Sequence, residues 1–339
     1  MVIAFMGSPE FAVPSLEAVL TAGHSVACVF TQPDRARARG RRLVPTPVKE
    51  IAEARGLRVL TPQTLKDAAA LAVLREAAPD AIAVVAYGLL LPPEVLRLPK
   101  HGCINVHASL LPRYRGAAPI ERAIMAGERT TGVTTMYMSE GWDTGDIILQ
   151  EEVPIGQDMT AGELRRELAE RGARLLERTL ALIEAGRAPR IRQNEAVATR
   201  APRVDPGEFE IDWRRPARAI HNLVRAGNPR PGAFTRIGGR LVKIFRGRPV
   251  DAPGAGAECE RAREREDASA CHGGACDPQA APGPPDPPGT CRTTPEGLLV
   301  RAGDGFYLVQ EVQAEGGKRM TARDYLRGHP VAPGTVLGR

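Results

Sequence analysis

Over residues 1–189 the chain alternates short apolar runs, several of them continuously apolar, with stretches of helical periodicity, and this alternation limits its fold more than any other feature. The runs are "VIAFM" (2–6), "SVACVF" (25–30), "LRVL" (57–60), "AIAVVA" (81–86), "CINV" (103–106) and "GVTTMYM" (132–138). Helical patterns lie between them near 14–22, 47–55, 65–77 and 117–126. A strand that is apolar at every position must be covered on both faces, as in a parallel sheet with helices above and below it. A long helix follows, opened by a capping box of Thr160 and Glu163, with Leu164, Leu168, Leu175, Leu176 and Ile183 at helical spacing. The expected domain over 1–189 is α/β, built on a Rossmann-like, mostly parallel sheet.

The texture then changes. Residues 190–205 are polar and extended and read as a linker. Beyond them, over 206–339, come one helical stretch (216–226) and alternating runs such as "RLVKIF" (240–245), "GLLVRA" (297–302) and "GFYLVQEV" (305–312). Short alternating strands with Gly-rich turns predict a small β-barrel or sandwich. Residues 251–292 interrupt it without a single Val, Ile, Leu, Met, Phe, Tyr or Trp. Such a segment buries too little apolar surface to offset its ordering entropy, so a disordered insert is expected there. It carries Cys259, Cys271, Cys276 and Cys291 beside His272, but not the close Cys pairs of a strong zinc motif. Free thiols are expected, and no metal.

The charge balance narrows the partners. Of 46 cationic residues only five are Lys, and the net charge is +6. Arg forks onto phosphate and stacks on bases, so this bias fits a polyanionic partner, although base composition alone can also produce it. Neither a signal peptide nor an apolar run of membrane-spanning length is present, so a cytoplasmic chain with no membrane contact is expected. The first strand-to-helix turn, "MGSPEF" (6–11), holds the single glycine Gly7 rather than G-x-G-x-x-G, and no phosphate-loop motif occurs elsewhere. Nicotinamide and nucleoside-triphosphate chemistry are therefore disfavoured.

At the end of "CINV" stands "GCINVHASLLPRYRGAAP" (102–119). Asn105 and His107 are two residues apart and share one face of an extended chain, while Ile104 and Val106 take the other. Further on, "EGWDTGD" (140–146) presents Asp143 in a turn after the next strand. If the two strands are neighbours, the three side chains meet at a carboxyl-end crevice. An amide that donates to a developing oxyanion, an imidazole and a carboxylate suit acyl transfer to an amine, which is its own nucleophile. A plainer reading stays open. Asn105 can satisfy buried backbone, His107 can be hydrogen-bonded structure, and Asp143 can form an Asx turn.

These segments, from "CINVHASLLPRYRGAAPI" through "GWDTGDIIL", resemble the folate-dependent formyltransferases. "FMGSPEFAVPSL", "VFTQPDR", "VVAYGLLLP", "FEIDW" and "IHNLVRAGNPRPGAF" resemble the branch that acts on initiator methionyl-tRNA. The resemblance implies a formyltransferase domain followed by a smaller OB-like β-barrel domain that binds tRNA. It implies 10-formyltetrahydrofolate as formyl donor and the methionyl α-amino group as acceptor. It makes Asn105, His107 and Asp143 catalytic and puts Ser109, Leu110, Leu111 and Pro112 at the folate site, with the loop 86–92 flanking the pterin. On this likeness, the basic loop 33–48 enters the acceptor end of the tRNA with Arg39, Arg41 and Arg42. Taken alone, such a loop is also an ordinary solvated surface element. A monomer is expected.

The chain departs from that family at Arg230, where an aromatic is common between the two prolines, at Arg203, where Lys is usual, and in the 251–292 insert. Rival readings are an N-formyltransferase for an amino sugar or another small amine, and a non-catalytic RNA-binding protein. The Arg loop and the second domain speak against the first, and the intact Asn–His–Asp set against the second.

Overall fold

The computed structural model describes residues 1–37, 42–250 and 286–338. They fall into two units, Met1–Val204 and Asp205–Arg339. In the first, strands β1 (Val2–Gly7) and β2 (Ser25–Phe30) are followed by a small hairpin, β3 (Arg35–Arg37) and β4 (Arg42–Val44). Strands β5 (Val59–Leu60), β6 (Ala81–Val85), β7 (Cys103–His107), β8 (Thr130–Tyr137) and β9 (Ile147–Pro154) complete the set. Apart from the hairpin they form one sheet in the order β5-β2-β1-β6-β7-β8-β9. The pairings from β5 to β7 are parallel, and β7–β8 and β8–β9 are antiparallel.

Every continuously apolar run is a strand of this sheet. β9 escaped the sequence pattern because it is an edge: its buried and solvated positions are mixed, with Gln150, Glu152 and Pro154 exposed. Helices α1 (Val13–Thr21), α2 (Pro47–Ala54), α3 (Ala68–Ala77), α4 (Pro93–Leu96), α5 (Pro119–Met125) and α6 (Ala161–Glu184) flank the strands. Leu71 and Leu74 of α3 bury against Met6, Phe30, Ile82 and Val84. On β7, α6 lies so close that a β-carbon at Gly172 would come within 2.8 Å of Val106 Cγ1. Val106 thus faces helix, and the alternation of the strand sends Asn105 and His107 the other way. The Thr160–Glu163 capping box forms at the start of α6.

The chain leaves β1 toward β2 but leaves β6 toward β7, although β1 and β6 are adjacent. This reversal opens a crevice beyond the carboxyl ends of the strands, the usual ligand position in open α/β sheets. The polar stretch after α6 is not a free tether. Ile191 exchanges backbone hydrogen bonds with Ile147, Arg115 N–H donates to Thr199 O at 2.9 Å, and Ala201 N–H donates to Arg115 O at 2.6 Å. Residues 190–204 are therefore a strap bound to the first unit.

The second unit holds α7 (Ala217–Ala226), an antiparallel sheet and α8 (Ala322–Gly328). Its strands are β10 (Ala233–Ile237), β11 (Arg240–Val250), β12 (Cys291–Thr294), β13 (Gly297–Arg301), β14 (Phe306–Ala314) and β15 (Arg319–Thr321). The ladder runs β10-β11-β14-β13-β12 with β15 on β14, over a core that includes Val242, Ile244, Val300, Tyr307 and Val309. Residues 286–292, counted with the insert on composition, are structured. Cys291 opens β12, pairs with Val300 and is 1% exposed. Backbone pairing and one buried thiol tie down a stretch that has no large apolar residue. Residues 251–285, with Cys259, Cys271, Cys276 and His272, lie outside the described residues.

Candidate active site

A cavity of about 450 Å³ sits at the crevice, within the range of small-molecule sites. Its walls come from Pro9 and Phe11 after β1, from the loop Ala86–Leu91 after β6, and from Asn105 and His107 on β7. Gly116, Ile120, Met138, Trp142 and Asp143 also line it, together with the charged Glu121 and Arg165. β8 pairs with β7, as convergence requires, and the loop after it returns to place Asp143 beside the strand end. His107 Nδ1 and Asp143 Oδ1 are 3.7 Å apart, with both side chains largely buried.

Hydrogen bonding fixes the roles of the ring nitrogens. His107 Nε2 lies 2.9 Å from Tyr114 O, and a carbonyl only accepts, so Nε2 carries the hydrogen. In the neutral ring, Nδ1 is left as the basic atom, facing Asp143. The carboxylate is held from behind, since Gly116 N–H donates to Asp143 Oδ2 at 2.8 Å. Gly116 is at φ +121°, and a β-carbon there would fall 2.7 Å from Ala201 O, so only glycine fits. Ala86, Tyr114 and Asp143 have φ of 48°, 59° and 53°. Left-handed backbone at non-glycine residues costs about 1–3 kcal/mol each and gathers where a site over-determines geometry.

Asn105 is 8% exposed, and among the described residues its side-chain amide makes no hydrogen bond. An amide on a cavity wall with no protein partner leaves its N–H groups free to donate into the cavity. Tyr87 also lines the cavity, and its hydroxyl is buried without a partner. Burial raises its pKa and keeps it a neutral donor. The wall is otherwise mainly apolar, with Trp142 72% and Leu90 63% exposed among its residues. A flat, partly polar ring system suits such a surface.

A family model described as formyl transferase matches residues 1–180, and one described as formyl transferase, C-terminal domain, matches 203–330. The methionyl-tRNA formyltransferase of Moorella thermoacetica is 48% identical over 100% of this chain and 99% of its own. That of Pelotomaculum thermopropionicum is 45% identical over 100% of this chain and 99% of its own. The chain belongs to the methionyl-tRNA formyltransferase family. Among solved structures, an N-formyltransferase from Helicobacter canadensis, in complex with folinic acid and dTDP-3-aminofucose, superposes with a TM-score of 0.62. It is 19% identical, and the match covers 91% of this chain and 99% of that one. HypX from Aquifex aeolicus, in complex with tetrahydrofolic acid, gives 0.58 at 17% identity, over 96% of this chain and 46% of that one. At those identities the likeness is one of fold.

Within this formyltransferase frame the sequence-derived residues divide. Asn105, His107 and Asp143 come together on the cavity, as does the loop 86–91. The turn Ser109, Leu110, Leu111 and Pro112 does not line it. Ser109 Oγ donates to Arg113 O, and Leu111 packs with Met136 and Ile147. Leu110 packs so tightly over Gly132 that a β-carbon there would lie 2.5 Å from Leu110 Cδ2. Thr134 Oγ1 donates to Ser109 O and accepts from Leu111 N–H, which rivets the turn to β8. Leu111 is buried against the dry face that β8 offers where β7 ends, and Leu110 is half-buried over Gly132. Arg39 and Arg41 lie outside the described residues, and Arg42 is placed by its backbone at the start of β4.

Sequence reasoning missed Tyr114, Gly116, Arg115 and Gln193. They sit in polar, aperiodic stretches whose partners are distant in the chain, so neither pattern nor spacing marks them. Among the described residues no group of three or more His, Cys, Asp or Glu is placed to hold a metal ion, and no helix is long and apolar enough to cross a membrane.

Proposed function

We infer that this chain transfers the formyl group of 10-formyltetrahydrofolate to the α-amino group of methionine esterified to initiator tRNA. The observation that carries the reading is the unpartnered amide of Asn105 beside the His107–Asp143 pair, in a chain matched end to end by methionyl-tRNA formyltransferases. The fit to a folate rests on the apolar wall and the cavity size. The donor supplies a formyl group on nitrogen, and the acceptor supplies the attacking amine.

The residues of the chain do the rest. Asn105 Nδ2 donates to the formyl oxygen and favours the state in which that oxygen carries charge. As the amine bonds to the formyl carbon it sheds a proton, which His107 Nδ1 takes directly or through one water. Asp143 stabilises the imidazolium so formed, and the 3.7 Å gap closes with a small side-chain movement. The proton then passes to the departing nitrogen, which leaves as tetrahydrofolate. Arg39, Arg41 and Arg42 contact the acceptor end of the tRNA, and translation initiation places the reaction in the cytoplasm.

The test is formyl transfer from 10-formyltetrahydrofolate with three acceptors: charged initiator tRNA, uncharged initiator tRNA and a nucleotide-linked amino sugar. Transfer to the charged tRNA alone is expected. Transfer to the sugar and not to the tRNA would overturn the assignment.

A further inference from the structure

Gln193 stands in the strap after α6, yet it is only 6% exposed and reaches the catalytic loop. Its Nε2 donates to Asp143 O and to Gly145 O, each at 2.8 Å. Its Oε1 accepts from Arg115 Nε at 3.0 Å and from a terminal guanidinium nitrogen at 2.7 Å. The orientation of the amide is unambiguous, because carbonyls only accept and a guanidinium only donates. Arg115 also forks onto Glu195, at 2.9 and 2.7 Å. The carboxylate beside the guanidinium raises the pKa of Arg115, so the fork stays charged.

The network bears on one strained point. Asp143 holds a left-handed backbone at φ 53°, and the two carbonyls that Gln193 clamps belong to that residue and to Gly145 just beyond it. The opposite anchor of Asp143, Gly116 N–H, follows Arg115 in the chain, and His107 leans on Tyr114 O immediately before it. Residues 114–116 thus orient both the base and its carboxylate. They are paired to the same strap through Thr199 and Ala201.

We propose that Gln193 is a positioning residue for catalysis, which acts by holding the Asp143 loop so that its carboxylate faces His107 Nδ1, with Arg115 as the brace that fixes the Gln193 amide. It touches no reacting atom. The proposal rests on the formyl-transfer reading and concerns kcat rather than substrate affinity.

The experiment is a double-mutant cycle in the full chain, read by formylation of charged initiator tRNA. Gln193→Leu keeps the bulk and removes every hydrogen bond of the amide. It is expected to lower kcat by roughly 10–100-fold, the scale of an ångström-level misplacement, with KM for donor and tRNA within about twofold. In an Asp143→Asn background the same change is expected to alter kcat by less than about twofold, since the geometry it protects is no longer used. Arg115→Gln gives the same pattern at smaller amplitude and decides the matter if Gln193→Leu does not fold. Unchanged kcat in a folded variant, or an equal loss in both backgrounds, would overturn the proposal. Absence of transfer by the wild-type chain would instead refute the underlying function.

Discussion

His107 is pinned through Nε2 to Tyr114 O at 2.9 Å, and its other nitrogen faces Asp143 Oδ1 at 3.7 Å. One side of the ring is tied to backbone, and on the proposed mechanism the other side carries the chemistry. Asp143→Asn tests the chemical side with little structural cost, because an amide oxygen still accepts from Gly116 N–H. It is expected to lower kcat by about 10²–10³-fold, as for loss of a general-base partner, with little change in either KM. Steady-state formylation kinetics measure it, and near-wild-type turnover would remove the carboxylate from the mechanism.

Asn105 offers a sharper discrimination than truncation alone. Asn105→Ala deletes a donor, which costs on the order of 10²–10³ in kcat at an oxyanion position. Asn105→Asp replaces the donor with negative charge facing the same oxygen, and is expected to be worse than Ala. A packing role would give the reverse order, because Asp preserves the shape. Binding of folinic acid, followed calorimetrically, is expected to survive Asn105→Ala.

Leu111 and Leu90, both placed near the folate by the family resemblance, differ sharply in exposure. Leu111 is 3% exposed in a small cluster with Met136 and Ile147, whereas Leu90 stands 63% exposed and lines the cavity. Leu111→Ala is expected to cost about 2–5 kcal/mol in urea unfolding while the folded fraction keeps its donor KM. Leu90→Ala is expected to leave the unfolding midpoint unchanged and to raise the donor KM. The opposite pairing would place the folate contact on the 109–112 turn rather than on Leu90.

The difference between those leucines shows what the sequence could and could not reveal. Continuous apolar runs disclosed the parallel core of the sheet, because double-sided burial leaves no other pattern, and period-two spacing put Asn105 and His107 on one face. The convergence of Asp143 depended on β8 lying beside β7, which spacing poses only as a condition. "SLLP" follows the strand directly, and local sequence does not say whether a turn folds its leucines onto a ligand or onto a neighbouring strand. Gln193 was invisible for a related reason. Its partners Asp143, Gly145 and Arg115 lie 50, 48 and 78 positions earlier in the chain.

The Arg-rich segment predicts a salt signature. If Arg41 and Arg42 contact tRNA phosphates, each Arg→Ala change releases about one fewer counterion on binding. The slope of log affinity against log salt is then shallower by up to about 1 per residue. Methionyl-tRNA KM measured across a salt series is expected to show this, with the donor KM constant. A loss of affinity with an unchanged slope would mean that these side chains do not sit on phosphate.

Two buried thiols give the first unit an alkaline limit. Burial pushes Cys28 from 9.0 up to about 11 and Cys103 from 9.0 up to about 12. Both are raised in the folded state, so the unfolded chain loses these protons first and binds fewer of them as pH climbs past 9. Stability is therefore full below the unfolded pKa and drains away from pH 9 up to about 11 for Cys28 and about 12 for Cys103, by on the order of 2 kcal/mol per thiol by pH 11. Urea unfolding of the wild type at pH 8 and pH 10.5 is expected to show the fall. Replacing both cysteines by Ala lowers stability at pH 8, since Cys28 and Cys103 are core residues at 0% and 2% exposure. The same replacement is expected to flatten the alkaline slope. If the doubly substituted protein loses as much stability between the two pH values as the wild type does, the alkaline limit belongs to other groups.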